Sequence, residues 1–185
     1  MTIVKRQYYL YIENTNDIDL KKINKRNKFT IIYRNKKENE KLLTINKFRK
    51  KCQAKSIKFY LANNENLAVK IKADGLYVSS FNKKKILKNF KRIIGASHNN
   101  KEINLKLWQG CDKVIFSRLF KTNYVNKKTF WGIIKFNLID NKRELIPLGG
   151  INLFNLNKLN NLNSKNAAFL SEVKKKPAKI FSRLF

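Results

Sequence analysis

The chain is poor in the residues that most often carry chemistry: one histidine, two cysteines and twelve acidic residues among 185. Cys52 and Cys111 are isolated, with no Cys-x-x-Cys or other metal-ligand spacing, so they read as free thiols of a cytosolic protein. Cys111 lies in a Gly-Cys-Asp turn ahead of an apolar run and is expected to be semi-buried and inert. His98 is the single histidine, and a lone histidine is more often structural than catalytic. No run approaches the length of apolar residues that a membrane-spanning helix requires. The first residues, MTIVKRQYYLYI, lack the small-residue cleavage site of a signal peptide, and their apolar part alternates as a strand does. A cytoplasmic location with no membrane partner is the expectation.

Acidic residues are scarce against 42 Lys and Arg, which gives a formal net charge of +30. That balance invites a nucleic-acid partner. Two features argue against a dedicated one. Lys, Asn, Ile and Phe rise together, as they do in proteins from AT-rich coding sequence. The lysines are also spread over predicted helix faces (Lys21, Lys22, Lys47, Lys50, Lys51, Lys83–Lys85, Lys174–Lys176), as on a solvated surface. Weak, non-specific association at low salt is expected regardless. A basic nucleic-acid-binding protein stands as the third reading, behind the two developed below.

What the chain does have is alternation. Apolar runs of strand length occur at Tyr8–Ile12, Phe29–Arg34, Ile57–Leu61, Gly75–Ser79, Ile93–Ser97, Lys113–Ser117, Leu145–Gly149 and Ala167–Ser171. Helix-like segments lie between and after them: Asp17–Lys25, Glu38–Ala54, Glu65–Ile71, Lys83–Phe90, Asn100–Gln109, Phe130–Ile139, Asn155–Leu162 and Pro177–Leu184. In Glu38–Ala54, residues Leu42, Ile45, Phe48 and Cys52 recur at helical spacing and would face a sheet. Asn99 or Asn100 can cap the helix that follows Ser97. Eight strands alternating with eight helices predict a compact α/β (β/α)8 TIM barrel, one domain over residues 1–185. An open doubly wound sheet is the structural alternative. The hexapeptide IFSRLF occurs twice, at Ile115–Phe120 and Ile180–Phe185, and reads as coincidence in a biased composition.

The stretch Arg92–Thr122 reads as strand, Gly-x-Ser turn, helix, Gly-containing turn, strand, and a loop ending in a hydroxyl. Further on, Ile146–Asn152 is an apolar strand that stops at a glycine pair. Glycine at a strand's C-terminal end lets backbone N–H groups approach a phosphate closely. Two such turns suggest a phosphorylated small molecule on the C-terminal face of the barrel. Asp74 and Asp112 precede strands and would sit on the opposite face, where stability is the expected role.

Along nearly its whole length the sequence resembles the thiamine phosphate synthase and thiazole tautomerase family of small (β/α)8 barrels. The family's Q-x-R-x-K pattern appears as Ile32-Tyr33-Arg34-Asn35-Lys36, and its N-D followed by D-L-A as Ala62-Asn63-Asn64-Glu65-Asn66-Leu67-Ala68. Its A-D-G-x-H-L-G pattern is Ala73-Asp74-Gly75-Leu76-Tyr77-Val78-Ser79, and its I-I-G-x-S-x-H pattern is Ile93-Ile94-Gly95-Ala96-Ser97-His98. Gly110-Cys111-Asp112 through Phe120-Lys121-Thr122 follow G-A-D-Y-x-x-x-G-P-I-F-P-T. Leu148-Gly149-Gly150-Ile151-Asn152 follow I-G-G-I-N, and Asn166-Ala167-Ala168-Phe169-Leu170-Ser171 follow G-V-A-V-x-S.

The resemblance implies a chemistry. The family's synthase joins an aminopyrimidine diphosphate to a thiazole phosphate and releases pyrophosphate. Carbon–oxygen cleavage leaves positive character on the pyrimidine methylene and negative charge on the leaving group, which cations must neutralise. By resemblance, Arg34 and Lys36 hold the diphosphate and Ser97 sits beside the pyrophosphate. Thr122, Gly149, Gly150 and Ser171 hold the phosphate of the thiazole or product. The family's two Mg²⁺-binding carboxylates fall on Asn63 and Asn82, which offer carbonyl oxygens without charge, so Mg²⁺ is expected to bind weakly at best. Further departures are Ala62 for the Asn of the N-D pair, Tyr77 for a barrel-facing His, and Arg118 where the tautomerase branch carries its His. Two readings follow: an active transferase of thiamine biosynthesis, or a barrel that keeps the phosphate site without turnover.

Overall fold

The computed structural model of the chain describes residues 6–23, 28–35, 40–122, 129–140 and 144–170. The expected roles of Lys36 and Ser171, and the predicted helix Pro177–Leu184, lie outside those residues.

Eight strands close into a barrel: β1 (Gln7–Ile12), β2 (Phe29–Tyr33), β3 (Lys58–Ala62), β4 (Gly75–Val78), β5 (Ile93–Ser97), β6 (Lys113–Ser117), β7 (Leu145–Leu148) and β8 (Asn166–Phe169). Every neighbouring pair is parallel, and β8 returns to β1 with Tyr8 beside Ala167. This is the predicted (β/α)8 class, and the open-sheet alternative is set aside. Side chains alternate along each strand. Leu10, Ile31, Phe59, Val114 and Phe116 point outward into the layer under the helices. Tyr9, Tyr11, Ile32, Tyr60, Tyr77, Ile94, Ile115 and Ile146 point inward and fill the bore. Both sets are buried, which is why the strands read as unbroken apolar runs.

Among the described residues four α-helices pack outside: α1 (Leu42–Ala54), α2 (Glu65–Lys70), α3 (Asn100–Trp108) and α4 (Gly132–Asp140). In α1 the expected stripe is present, with Ile45, Phe48 and Cys52 buried, while Leu42 stays exposed in the first turn. Asn99, not Asn100, caps α3 by accepting the Glu102 N–H at 2.9 Å. None of the helices among the described residues is long and apolar enough to cross a membrane.

Three helical expectations are corrected. Asp17–Lys25 forms two short 3₁₀ turns, Thr15–Asp17 and Leu20–Lys22, in its described part. The Asp17 carboxylate accepts from the Glu13 and Asn14 N–H groups and Asp19 from that of Lys21, so side chains take the backbone donors a helix would use. Asn155–Leu162 becomes a 3₁₀ stretch, Leu156–Asn161, preceded by an Asn152–Asn155 turn. Lys83–Phe90 is not helical at all. Its backbone is held from both sides instead. The Glu65 carboxylate on α2 accepts from Leu87 and Lys88 N–H, and Gln109 after α3 donates to the Asn82 and Lys84 carbonyls.

At the N-terminal ends of the strands, Asp74 accepts the Phe59 N–H at 2.9 Å, Asp112 the Ile93 N–H at 2.7 Å and Asp140 the Leu145 N–H at 2.6 Å. The first two match the stability role expected for that face. Cys52 and Cys111 are free and buried, Cys111 more deeply than the semi-buried position expected for it, and burial pushes each thiol up to about 12, so neither is a nucleophile near neutrality.

Candidate functional site

The C-terminal ends of the strands gather most of the residues singled out above. Arg34 follows β2 directly, and its guanidinium carbon lies 5.5 Å from the centre of the Tyr11 ring. Its charge also acts on the Tyr77 hydroxyl, against the effect of burial. Tyr11 and Tyr77 meet edge to face at 85°, with their hydroxyls 3.0 Å apart. Burial holds both phenols above their usual range, so they remain neutral hydrogen-bonding groups. The Arg34 Nε is buried and has no hydrogen-bond partner.

Ser97 ends β5. It does not cap α3, since Asn99 does; its Oγ is buried with no partner. Next to it in sequence, His98 is exposed, and its Nδ1 is 2.6 Å from the Ser117 Oγ at the end of β6. Thr122 lies in the loop after β6, and its Oγ1 is likewise buried and unpartnered.

The glycine pair after β7 locks onto that same loop. Leu119 N–H donates to the Leu148 carbonyl at 2.9 Å and Phe120 N–H to the Gly149 carbonyl at 3.0 Å. Gly149 and Gly150 have φ of +97° and +70°, a region that side chains disfavour. A Cβ on Gly150 would stand 2.5 Å from the carbonyl oxygens of both Phe120 and Lys121. The structure therefore brings Gly149, Gly150 and the Phe120–Thr122 segment together. Arg34 and Ser97 share their end of the barrel on other strands.

The two positions matched to metal ligands are otherwise employed. Asn63 accepts the Ser79 N–H at 2.9 Å with its Oδ1 and donates to the Ser79 Oγ at 2.7 Å, which ties the end of β3 to that of β4. The Asn82 Oδ1 accepts the Lys84 N–H at 3.0 Å. Each is a neutral amide already serving its own loop. Among the described residues no group of three or more His, Cys, Asp or Glu is placed to hold a metal. These donors do not fit a tightly bound Mg²⁺.

Two participants escaped the sequence reading. Tyr11 was legible only through alternation, since Tyr9 and Tyr11 share a face of β1. Lys106 gave no signal, because a lysine on a surface helix reads as solvated. It is in fact fully buried, donating to the Asn82 carbonyl at 2.6 Å and to the Gln109 Oε1 at 2.9 Å. Burial lowers its affinity for a proton.

A closed parallel barrel with glycine turns and unpaired polar groups on its C-terminal face defines a (β/α)8 protein. The sequence matches the Thiamine monophosphate synthase family over residues 12–173, and the chain belongs to that family. It is 25% identical over 131 residues to a thiamine-phosphate synthase of Prochlorococcus marinus. That match takes in 66% of this chain and 37% of the longer relative. Among solved structures, a thiamine phosphate pyrophosphorylase from Pyrococcus furiosus superposes with a TM-score of 0.69 at 14% identity, covering 98% of both chains. One from Bacteroides thetaiotaomicron gives 0.63 at 13% identity, covering 97% of this chain and 98% of its own. At such identities the structural likeness speaks for the fold.

Proposed function

We propose that the C-terminal face binds a phosphorylated thiazole or thiamine phosphate, as a thiamine phosphate synthase-like protein of the cytoplasm. The observation that carries this reading is the set of orphaned buried atoms. Arg34 Nε, Ser97 Oγ and Thr122 Oγ1 lack partners at one end of the barrel, whereas the fourth such atom among the described residues, Arg49 Nε, belongs to the outer helix α1. Leaving a buried polar group unpaired costs about 1–3 kcal/mol, and a bound ligand rich in oxygen acceptors would relieve that cost. In this reading the ligand phosphate lies against the Gly149–Gly150 turn with Thr122 and Ser171. Arg34 and Lys36 supply positive charge for a diphosphate, with Ser97 beside it. The Tyr11 ring face holds the Arg34 guanidinium, and Tyr77 holds the Tyr11 hydroxyl.

Asn63 and Asn82 set the extent of the chemistry. With no carboxylate at either position, the reading that follows is ligand binding with little or no Mg²⁺-supported release of pyrophosphate. The alternative is a working transferase that condenses an aminopyrimidine diphosphate with the thiazole phosphate.

Calorimetry with thiamine phosphate and with thiazole phosphate, each with and without Mg²⁺, tests the proposal. Binding is expected in the absence of Mg²⁺ and should weaken roughly tenfold or more in Arg34→Met, which loses a charge-assisted hydrogen bond. Failure to bind either compound rejects it. Steady pyrophosphate release from the two substrates establishes the transferase reading instead. Affinity that falls steeply with salt for any polyanion, with no preference for these ligands, favours the nucleic-acid reading.

A further inference from the structure

The opposite end of the bore contains a cavity of about 130 Å³, open at the N-terminal ends of the strands. It has the volume of roughly four water molecules at about 30 Å³ each. Its deep wall includes Tyr9 and Tyr60, which are 5% and 3% exposed. Its rim includes Lys58, Arg92, Asp112 and Lys113.

The two tyrosines differ from the pair above them. Tyr11 and Tyr77 satisfy one another, but neither Tyr9 nor Tyr60 has a hydrogen-bond partner for its hydroxyl among the described residues. Both residues are more than nine-tenths buried and line one cavity, so their only accessible surface is turned to it and each hydroxyl is available there as a donor. Burial raises both, Tyr9 to about 12 and Tyr60 further, so each keeps its proton as a donor. Gly75 makes the room for one of them: a Cβ there would stand 2.3 Å from the Tyr60 ring.

Charge selects the ligand class. Lys113 is paired with Glu144 at 2.9 Å. The carboxylates of Asp112 and Asp74 are each turned to a backbone N–H. Lys58 and Arg92 have no ion pair among the described residues. At both tyrosine hydroxyls the Arg92 charge outweighs the individual carboxylates nearby. Two neutral O–H donors beneath two unpaired cations suit an acceptor-only ligand that bears negative charge.

We propose that the N-terminal end of the barrel is a second binding site, for a phosphate-sized oxyanion held between the Tyr9 and Tyr60 hydroxyls and the cations Lys58 and Arg92. It lies at the far end of the bore from the thiamine phosphate site and does not depend on it.

Amide chemical shifts in a titration with inorganic phosphate at about 0.15 M salt test this. The backbone signals of Thr30, Lys58 and Asn166 should move with one midpoint, separately from those of Gly149 and Gly150. The double variant Tyr9→Phe/Tyr60→Phe removes two oxygen atoms and no charge, and should weaken the N-terminal midpoint at least tenfold while leaving the glycine signals unchanged. Arg92→Gln should weaken it in the same direction with both rings intact. The proposal is overturned if the N-terminal signals stay still, or if they move with the same midpoint in the double variant, which would leave only attraction to a basic surface. A parallel titration with methyl phosphate separates the sources: equal midpoints support a site for phosphate esters, and a midpoint tenfold weaker supports one for the free ion.

Discussion

Two tyrosine pairs occupy the bore of this barrel, and they are treated differently. The upper pair, Tyr11 and Tyr77, is closed: hydroxyl meets hydroxyl, ring edge meets ring face, and Arg34 lies over the Tyr11 ring. The lower pair, Tyr9 and Tyr60, is open: both residues line a cavity, and among the described residues no protein group meets their hydroxyls. The residue type and the depth of burial are similar, so neither decides the role. What differs is whether the fold supplies a partner. A buried polar group with its partner in place reports on stability, and one without reports on what the site can take up. The same distinction separates Ser97 and Thr122, which are unpaired, from Asn63 and Ser79, which are spent on each other.

The largest effect that would sharpen this comparison lies above the upper pair. Gly150→Ala places a Cβ against two carbonyl oxygens at positive φ, so roughly 3 kcal/mol of stability should be lost in urea unfolding. Phosphate shifts at the C-terminal face should go with it, while those around Lys58 persist. A variant as stable as the parent would show that the turn does not rest on the Phe120–Lys121 backbone as described.

A smaller effect compares the pairs directly. Tyr77→Phe strands the buried Tyr11 hydroxyl and should cost about 1–2 kcal/mol. Tyr60→Phe strands nothing and should stay within about 0.5 kcal/mol of the parent. Equal losses in paired unfolding curves would break the distinction between closed and open.

The smallest effect concerns the carboxylates that pin strand starts. Burial raises Asp140 above its usual 3.8 despite the hydrogen bond from Leu145. The folded protein then binds more proton than the unfolded chain between 3.8 and the raised value, so this group favours folding increasingly as pH falls through that window. Its contribution is complete below 3.8 and lost as pH rises through the folded value. Asp140→Asn keeps the acceptor and should flatten that dependence. Urea midpoints of the two proteins that run parallel across the window would reject the assignment.

All eight strands were legible, each to within about two residues at either end, because parallel strands buried on both faces read as apolar runs and several here stop at glycine or serine. The connections were less so. Lys83–Phe90 has helical composition, yet its backbone partners come from Glu65 and Gln109, residues of other elements that no local pattern links to it. At the C-terminal face, motif order was enough to bring the glycine pair to the Phe120–Thr122 loop. The spending of Asn63 on Ser79 was invisible, since it depends on how β3 and β4 end side by side. The lower cavity was invisible for a related reason. It is assembled from inward residues at the start of six different strands, and only barrel closure makes them neighbours.

Gly95 carries a constraint on how this sequence can drift. A Cβ at that position in β5 would meet the Lys106 Cβ and Cγ at 2.7 and 2.8 Å and the Cys111 Sγ at 3.0 Å. The space a side chain would need is the space through which Lys106 passes to reach the Asn82 carbonyl. Substitution at one position is therefore not independent of the others: a side chain at 95 is tolerable only alongside glycine at 106, which alone lacks the Cβ it would meet, and that second change releases the loop after β4 from its anchor. Gly95, Lys106, Gln109 and the backbone at Asn82 form an epistatic set, expected to change together in descendants of this chain or not at all.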